Sequence, residues 1–505
     1  MEFFFFDLSM LLTWENLFAV IFGVIVGLFF GAVPGLGPPI AIALLIPITF
    51  TMSPVAAILM LVAVYQAAEY GNSISAIIMG IPGSAASVVT VFDGHAMAKQ
   101  GFPGKALGYS LTASLVGGII GCIFLIFLAK PLSVLALQFS DPEMFLITIL
   151  ALVCVSSLAS KDLPKSVLSL LLGLLLSTVG VDLLTGLPRY TFGSANLIDG
   201  FNFIALLIGM FAITEVFNMI STQLNTRYVS DKKNLKASVS LKEFFAVRSY
   251  LIRGSLIGTI VGIIPGLGAS AASWISYMDA KRSSKHPEKF GKGYPGGLAV
   301  SDSANNAAVG GALIPLIAIG IPGSATMAII MGAFIIHGLQ PGPRIFVENM
   351  DLLAAMFWGF LATCIFMYFI GKYSTSLMAR ILTAPNYVLV TCILFVSLIG
   401  VYASKGNSFD LWLALIVGII VFFLNKLDFA APLFVLAFIF GPMTEDYFRR
   451  SLMLSKGEYN VFYTGPTALI LICLILLVFG FSTYRSWKNN SKPTDSSVEK
   501  GENIQ

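Results

Sequence analysis

Acidic and amide side chains occur at two places within strongly apolar sequence, where they could hold a small cation. The first group contains Glu69 and Asn72, and the second contains Asp302, Asn305 and Asn306. An acid inside a membrane-spanning helix is costly and by default functional, and amide oxygens are hard ligands that suit Na⁺. An interfacial position is the alternative for both acids, and the two adjacent asparagines could serve only to bond neighbouring helices. The ion-coupling candidates are Glu69, Asn72, Asp302 and Asn305.

A six-residue motif that occurs twice is suited to binding an anion. Residues 80–85 and 320–325 both read Gly-Ile-Pro-Gly-Ser-Ala. Pro removes a backbone donor and Gly tolerates unusual dihedral angles, so each copy should break a helix and aim free amides at an anion. Nearby hydroxyl and amide side chains would add donors. The predicted substrate-binding residues around these breaks are Asn72, Ser73, Pro82, Gly83, Ser84, Ser87, Asn305, Asn306, Pro322, Gly323, Ser324 and Thr326.

A second pair of matching motifs lies upstream of the first pair and in the same order. Residues 33–37 read Val-Pro-Gly-Leu-Gly and residues 264–268 read Ile-Pro-Gly-Leu-Gly, so the two pairs have offsets of 231 and 240 residues. Two ordered matches at nearly one offset indicate an internal duplication. A single Gly-Pro break is more often only a kink or a packing site, but duplication favours a shared function. These motifs add Gly35, Gly37, Gly266 and Gly268 to the predicted substrate site.

Composition places the chain in the membrane. Hydrophobic residues make up 57% of the 505 residues and charged residues only 11%, which predicts a polytopic membrane protein with about a dozen crossings. The five cysteines are scattered singly through apolar sequence and indicate core packing. A net charge of +4 gives no indication of a nucleic-acid surface. We expect no cofactor, and no metal beyond a coupling Na⁺.

Charge asymmetry predicts the organisation across the bilayer. Residues 1–16 carry acids and no Lys or Arg, which indicates a periplasmic N-terminus, whereas the linker at 221–249 is basic and should be cytoplasmic. Repeat 1 (17–220) and the segment with repeat 2 and C-terminal spans (250–484) would then be inverted, followed by a polar cytoplasmic tail (485–505). The expected fold is an all-α polytopic membrane protein. It has two inverted structural repeats of about five to six spans each, with broken or re-entrant helices meeting near the bilayer midplane, plus an extra C-terminal span.

Two turns and three further side chains complete the expectations from charge and spacing. The uncharged turn at 51–53 should lie outside, and the insertion at 281–292, with five basic residues, should be cytoplasmic. Asp93 and His95 precede a basic turn and predict an interfacial hydrogen-bonded pair. His337 stands alone in apolar sequence and should be structural.

These motifs, together with the segments 92–98, 304–308 and 337–343, resemble the TctA family, the large membrane subunit of the tripartite tricarboxylate transporters. The resemblance covers nearly the whole chain up to the polar tail. It implies a multi-pass protein of the bacterial inner membrane that imports a carboxylate using an ion gradient of Na⁺ or H⁺. It also implies two partners, a small transmembrane subunit (TctB-like) and a periplasmic solute-binding protein (TctC-like).

Four positions depart from the pattern of that family. Pro39 and Met327 stand where Thr is common, which removes two hydroxyls, while His95 replaces a usual Tyr and Ala96 a frequent Pro.

Broken helices in inverted repeats are typical of a secondary transporter that works by alternating access. No phosphate-cradling Gly-x-x-x-x-Gly-Lys-Ser/Thr loop is present, which argues against an ATP-driven pump. Three histidines without a His-Glu-x-x-His motif fit an enzyme poorly. An ion or anion channel is the remaining alternative, because broken helices also build filters.

Overall fold

The computed structural model describes residues 11–159, 163–182, 184–221, 235–381 and 386–490. Most of the acidic N-terminal segment, the first half of the basic linker and most of the polar tail lie outside the described residues.

The first half of the chain is helical except at its breaks. Helix α3 (Pro54–Met79) begins where the Ser53 side chain accepts a hydrogen bond from the Ala56 amide and Pro54 takes the first helical position. After the break, residues 85–99 form one irregular helix that passes through 3₁₀, α and π geometry. A π-helical segment at Ile208–Ile213 likewise joins α9 to α10. The elements are α1 (Trp14–Ala32), α2 (Gly37–Thr49), α3 (Pro54–Met79), α4 (Val88–Thr90), α5 (Ala96–Lys99), α6 (Pro103–Ala136), α7 (Asp141–Ala159), α8 (Leu163–Ser177), β1 (Gly180–Val181), β2 (Pro188–Arg189), α9 (Phe203–Leu207) and α10 (Thr214–Ser221).

The second half repeats this helical pattern. Helix α11 begins at a capping box formed by Ser240 and Glu243, within the segment assigned to the basic linker. Helices α11 and α12 pack against each other and are joined by the turn at 264–267, and their crossing of the bilayer as an in-and-out pair stays a prediction. The elements are α11 (Leu241–Ile263), α12 (Gly268–Ser283), α13 (Pro295–Ile319), α14 (Ala325–Ile336), α15 (Ile345–Glu348), α16 (Met350–Ile381), α17 (Asn386–Lys405), α18 (Ser408–Lys426), α19 (Ala431–Leu454) and α20 (Pro466–Asn490).

The all-α polytopic membrane fold is confirmed. Nine helices in the described part of the chain are long and apolar enough to cross a membrane, fewer than the dozen expected. Helix α13 is not among them despite its 25 residues, and it carries Asp302, Asn305 and Asn306 in its interior. Its polar side chains are buried against other helices, so packing within the protein shields them.

The duplicated motifs have the same backbone conformation in both copies. Gly80 and Gly320 end α3 and α13 in the left-handed region, with φ of 70° and 80°. Ser84 and Ser324 then take nearly identical extended angles, −146°/171° and −152°/167°. The upstream glycine turns between α1 and α2 and between α11 and α12 also match in their positive φ values. The duplication is therefore one of local structure as well as of sequence.

Rows of glycines bring α1 close to α3 and α11 close to α13. In each row the glycines are four residues apart, and a Cβ at any of them would collide with backbone of the facing helix. Residue numbers rise together along both partners, so the helices of each pair run in the same direction. The contacts are Gly23 with Met60, Gly27 with Val64, Gly31 with Ala68, Gly254 with Val300, Gly258 with Ala304, and Gly262 with Ala308.

Helices α3 and α13, which are equivalent in the two halves, run in opposite directions. Asn305 Nδ2 donates to the Glu69 carbonyl oxygen at 3.3 Å, and the Asp302 carboxyl lies beside Ser73. Later residues of α3 therefore contact earlier residues of α13, as in an antiparallel pair. This antiparallel arrangement supports inverted repeats, whose orientation in the bilayer stays a prediction.

The outer helices show where the interpretation of the cysteines was wrong. Cys122 and Cys364 are buried, as core packing requires, and Cys154 is half-buried. Cys392 and Cys473 are exposed on α17 and α20. These two helices have large exposed apolar faces, so apolar sequence alone did not distinguish the core from the outer surface.

Candidate substrate and ion site

A polar face of α3 lies in the interior of the helix bundle. Residues 56–79 of this helix are all buried. Tyr65, Glu69 and Asn72 are spaced three or four residues apart, which places them on one side of the helix. The two acids singled out from the sequence, Glu69 and Asp302, are both buried inside the protein, and their depth in the bilayer stays a prediction.

The first break is bonded to this face through Asn72. Asn72 Nδ2 donates to Ser84 Oγ at 2.8 Å and to Glu69 Oε2 at 3.2 Å. Ser84 Oγ also accepts the Ala86 amide at 3.3 Å and so caps the irregular helix. The serine of the first motif, an amide and a carboxylate thus form one connected group.

The second break is bonded to the same face through Tyr65. The Tyr65 hydroxyl lies 3.2 Å from Ser324 Oγ, and Thr326 is beside it. Ser324 Oγ also accepts the Met327 amide at 3.2 Å and caps the 12-residue helix α14. Tyr65 and Glu69 are one turn apart on α3, so a single helix face links the two breaks.

The two asparagines that donate hydrogen bonds to Glu69 each carry an unpartnered amide oxygen. Asn72 Oδ1 and Asn305 Oδ1 are buried and accept no hydrogen bond in the described structure. No described Lys, Arg or His side chain forms an ion pair with Glu69. A carboxylate with two free amide oxygens is a donor set that suits a small hard cation. Three of the four ion-coupling candidates, Glu69, Asn72 and Asn305, are therefore together.

The glycines of the breaks lie in close packing contacts. A Cβ on Gly83 would stand 2.6 Å from the Gly31 carbonyl oxygen and 2.8 Å from Asn72 Oδ1. A Cβ on Gly323 would stand 2.8 Å from the Gly262 carbonyl oxygen. Close packing therefore accounts for both glycines, whether or not an anion approaches them.

The upstream turns meet the breaks within the second repeat. The Gly266 amide donates to the Gly323 carbonyl oxygen at 3.0 Å, and Gly268 lies near Ser324. In the first repeat, Gly35 faces the Glu215 carboxylate, and Gly37, two residues later, begins α2. Pro82 and Pro322 lie in the non-helical segments between Gly80 and Ser84 and between Gly320 and Ser324.

Three predicted site residues are directed elsewhere. Ser87 Oγ donates to the Ser84 carbonyl oxygen at 3.0 Å, so its hydroxyl is used within the turn. Ser73 lies beside Asp302, and Asn306 Nδ2 donates to Ser114 Oγ on α6 at 2.8 Å. Asn305 and Asn306 thus bond different helices, as the alternative interpretation of this pair predicted.

Asp93 and His95 do not form the predicted pair. Asp93 Oδ1 accepts backbone amides from Gly291, Gly293 and Tyr294 at 2.8–3.0 Å, and its other oxygen accepts the Tyr277 hydroxyl. Successive helical residues point in different directions, so the two side chains of this segment diverge.

His95 Nδ1 instead lies 2.9 Å from the Ile77 carbonyl oxygen. His337 Nε2 bonds the Thr49 hydroxyl at 2.9 Å, in agreement with a structural role.

Tyr65 and Glu215 are the site residues that sequence reasoning missed. Tyr65 precedes Glu69 by four residues, so helical spacing could have identified it. Glu215 is an acid within an apolar helix, the same signal that singled out Glu69. Within the described ranges no three His, Cys, Asp or Glu side chains cluster as a transition-metal site would require.

Comparisons with known proteins cover most of the chain. Residues 17–436 match the model of the tripartite tricarboxylate transporter TctA family. An uncharacterized 52.8 kDa protein in the TAR-I ttuC' 3'region of Agrobacterium vitis is 37% identical over 467 residues, which cover 92% of each chain. An uncharacterized protein in the TAR-II ttuC' 3'region of the same organism is 35% identical over 228 residues, 43% of this chain and 93% of that relative. No solved structure matches.

Proposed function

The chain belongs to the tripartite tricarboxylate transporter TctA family, and from that membership we propose that it imports a carboxylate by secondary active transport. In this proposal a periplasmic binding protein delivers the substrate, a small membrane subunit assembles with the chain in the bacterial inner membrane, and an Na⁺ or H⁺ gradient supplies the energy.

The observation that carries the proposal is the buried polar face of α3 between the two breaks. Ser84 is bonded to one part of it through Asn72, and Ser324 to the other part through Tyr65. The hydroxyls and nearby amides of the two breaks would hold a substrate carboxylate, since charge-assisted hydrogen bonds to an anion are the strong ones.

The Glu69 carboxylate provides a physical reason for coupling to a cation. Two unit negative charges roughly 5 Å apart repel by about 3 kcal/mol at an effective dielectric constant near 20. A substrate anion would therefore bind poorly beside an ionised Glu69. A cation held by Glu69, Asn72 and Asn305 removes that repulsion, so ion and substrate would bind together.

Alternating access would follow from the opposed halves. Each half contributes one break, and α3 and α13 run in opposite directions. In inverted-repeat transporters, movement of one part against another exposes a midplane site to either side in turn.

The test is reconstitution of the chain with its small subunit and binding protein. We expect saturable uptake of labelled carboxylates under an imposed Na⁺ or pH gradient. Glu69→Gln should lower gradient-driven uptake by roughly 10–100-fold, because the cation loses its charged ligand. Glu348→Gln, an exposed acid, is the matched control and should transport normally.

Two outcomes would contradict the proposal. Uptake that neither saturates nor needs a gradient would indicate a channel. Full uptake by the chain without its binding protein would exclude the tripartite mechanism.

A further inference from the structure

A second buried carboxylate site lies one turn away from Glu69 along the antiparallel pair of α3 and α13. Its centre is Asp302, which is fully buried. Asp302 Oδ1 accepts the Thr90 hydroxyl at 2.5 Å. Asp302 Oδ2 is buried without a hydrogen-bond partner. One side of the carboxylate is therefore satisfied by the protein and the other side is not.

Two further hydroxyls face the same carboxylate. Ser73 of α3 and Ser110 of α6 lie beside Asp302. Both hydroxyls are buried beside the Asp302 carboxyl, and neither makes a hydrogen bond of normal geometry within the described residues. Three unpartnered oxygens from three helices thus converge.

This convergence needs a physical explanation. A buried polar atom without a partner costs roughly 1–3 kcal/mol, and an unpaired buried carboxylate costs more. Donation from the two serine hydroxyls to Asp302 Oδ2 would remove part of this cost, but it would leave the lone pairs of both hydroxyl oxygens free. The same atoms directed at one cation would each gain a partner.

We propose that Asp302, Ser73 and Ser110 form a second Na⁺ site, separate from the Glu69 group, with Thr90 orienting the carboxylate. One carboxylate balances one positive charge, whereas Ca²⁺ sites gather several carboxylates. Carboxylate and hydroxyl oxygens are hard ligands, which suits Na⁺ better than a softer transition metal. This inference rests on the proposed function and adds that two Na⁺ ions accompany the substrate.

The experiment measures ²²Na⁺ binding to the purified full-length chain in lipid nanodiscs at constant pH and ionic strength. We expect two Na⁺ ions per wild-type chain. Asp302→Asn should bind one, and Ser73→Ala and Ser110→Ala should weaken one of the two binding steps by roughly 10–100-fold. Glu69→Gln should remove the other step and leave the one at Asp302.

The matched control is Ser133→Ala on the same helix as Ser110. Ser133 is buried too, but its hydroxyl donates to the Lys130 carbonyl oxygen of its own helix at 2.8 Å. Its substitution should leave both binding steps unchanged. If Asp302→Asn fails to fold, the two serine variants still decide the question, because each removes only one hydroxyl.

Unchanged Na⁺ binding in Ser73→Ala and Ser110→Ala would overturn the second site. A single binding step that only Glu69→Gln removes would also overturn it, and would leave the proposed transport intact. Absence of carboxylate uptake in the complete three-protein system would instead refute the proposed function, whatever the number of bound ions.

Discussion

Tyr65 is the residue that connects the second break to the polar face of α3. Its hydroxyl lies 3.2 Å from Ser324 Oγ, and Thr326 is also beside it. The first break has no tyrosine at the equivalent place and uses Asn72 instead. The two copies therefore keep the same backbone but present different side chains, which fits a substrate held asymmetrically.

Removal of single hydroxyls should show whether both breaks bind the substrate. A hydrogen bond to a charged group contributes on the order of 1.5–3 kcal/mol, so Ser84→Ala and Ser324→Ala should each weaken apparent affinity by roughly ten to a hundredfold. Tyr65→Phe should have a smaller effect, about two- to tenfold, because it removes a neutral hydrogen bond. The measurement is the KM of uptake in the reconstituted system.

Thr363→Val is a suitable control for these variants. Thr363 is buried on α16, and its hydroxyl donates only to the Gly359 carbonyl oxygen of its own helix. Its KM should stay at the wild-type value. A wild-type KM in Ser84→Ala and Ser324→Ala alike would mean that the breaks serve packing alone.

At the scale of residues, sequence predicted which side chains are buried better than where they point. Glu69, Asn72 and Asn305 could be grouped in advance because helical spacing and the cost of buried acids are general. The direction of Asn306 could not be predicted in this way. Adjacent residues on a helix point about 100° apart, and only the packed neighbours show that Asn305 rather than Asn306 faces α3. The predicted pairing of Asp93 with His95 was wrong for a related reason. The actual partners of Asp93 lie about 200 positions away in the chain, and only the folded structure brings them together.

At the scale of elements, the sequence predicted where the helices break. It did not predict that the glycines of the breaks are needed for close packing against neighbouring helices. Gly and Pro in an apolar run indicate a break without any structure. The contact of Gly83 with Gly31 requires knowledge of how α1 packs. Substitution of Gly83 by Val would thus disturb helix packing as well as anion approach, so serine variants are the cleaner test.

The loop between α8 and α9 is held by an ion network that should make its order depend on pH. Asp182 Oδ1 accepts the Leu184 and Thr185 amides, and its Oδ2 lies 2.7 Å from Arg449 Nη1. The Thr185 amide, followed by Arg449, holds the pKa of Asp182 well below its usual range.

A lowered folded pKa means that this stabilisation is complete above the ordinary aspartate pKa of about 4 and is lost as pH falls through the folded value. The hydrogen-exchange protection factors of residues 184–200, which correct for the intrinsic pH dependence of amide exchange, should therefore stay high from neutral pH down to about pH 4 and fall only in stronger acid. Asp182→Asn should lower these protection factors at neutral pH.

Asp199→Asn is the control for the loop. Asp199 is an exposed acid of the same loop, and its oxygen lies 3.9 Å from Lys405 Nζ, a distance at which an exposed pair contributes little. Exchange in this variant should match the wild type. Rapid exchange already at pH 5 in the wild-type chain would show that the network does not hold the loop.

At the scale of the whole molecule, the duplicated motifs predicted the repeated order of helices. The turns, the breaks and the helices between them recur in both halves with matching backbone angles. What the motifs could not predict is how the halves contact each other. Asp93 of the first half binds the backbone of the insertion in the second half, and no spacing rule connects residues so far apart.

Inversion of the two halves in the bilayer can be tested at equivalent turns. Thr51 lies in the turn between α2 and α3, and Lys285 in the turn between α12 and α13, and both are exposed. Because α3 and α13 run in opposite directions, these turns should face opposite sides of the membrane. A membrane-impermeant maleimide applied to intact cells should label Thr51→Cys and leave Lys285→Cys unlabelled, whereas permeabilised cells should show both labelled.

The native cysteines determine the background for that measurement. Cys392 and Cys473 are exposed and Cys154 is half-buried, so these three should be replaced by Ser, while the buried Cys122 and Cys364 can remain because the reagent does not reach them. Labelling of both turns from the outside would place α3 and α13 in the same orientation. The antiparallel contact of Asn305 with the Glu69 carbonyl would then be incompatible with the membrane arrangement, and the alternating-access proposal would lose its structural basis. Labelling of Thr51→Cys alone would instead place the 281–292 insertion inside, where its five basic residues are expected to lie.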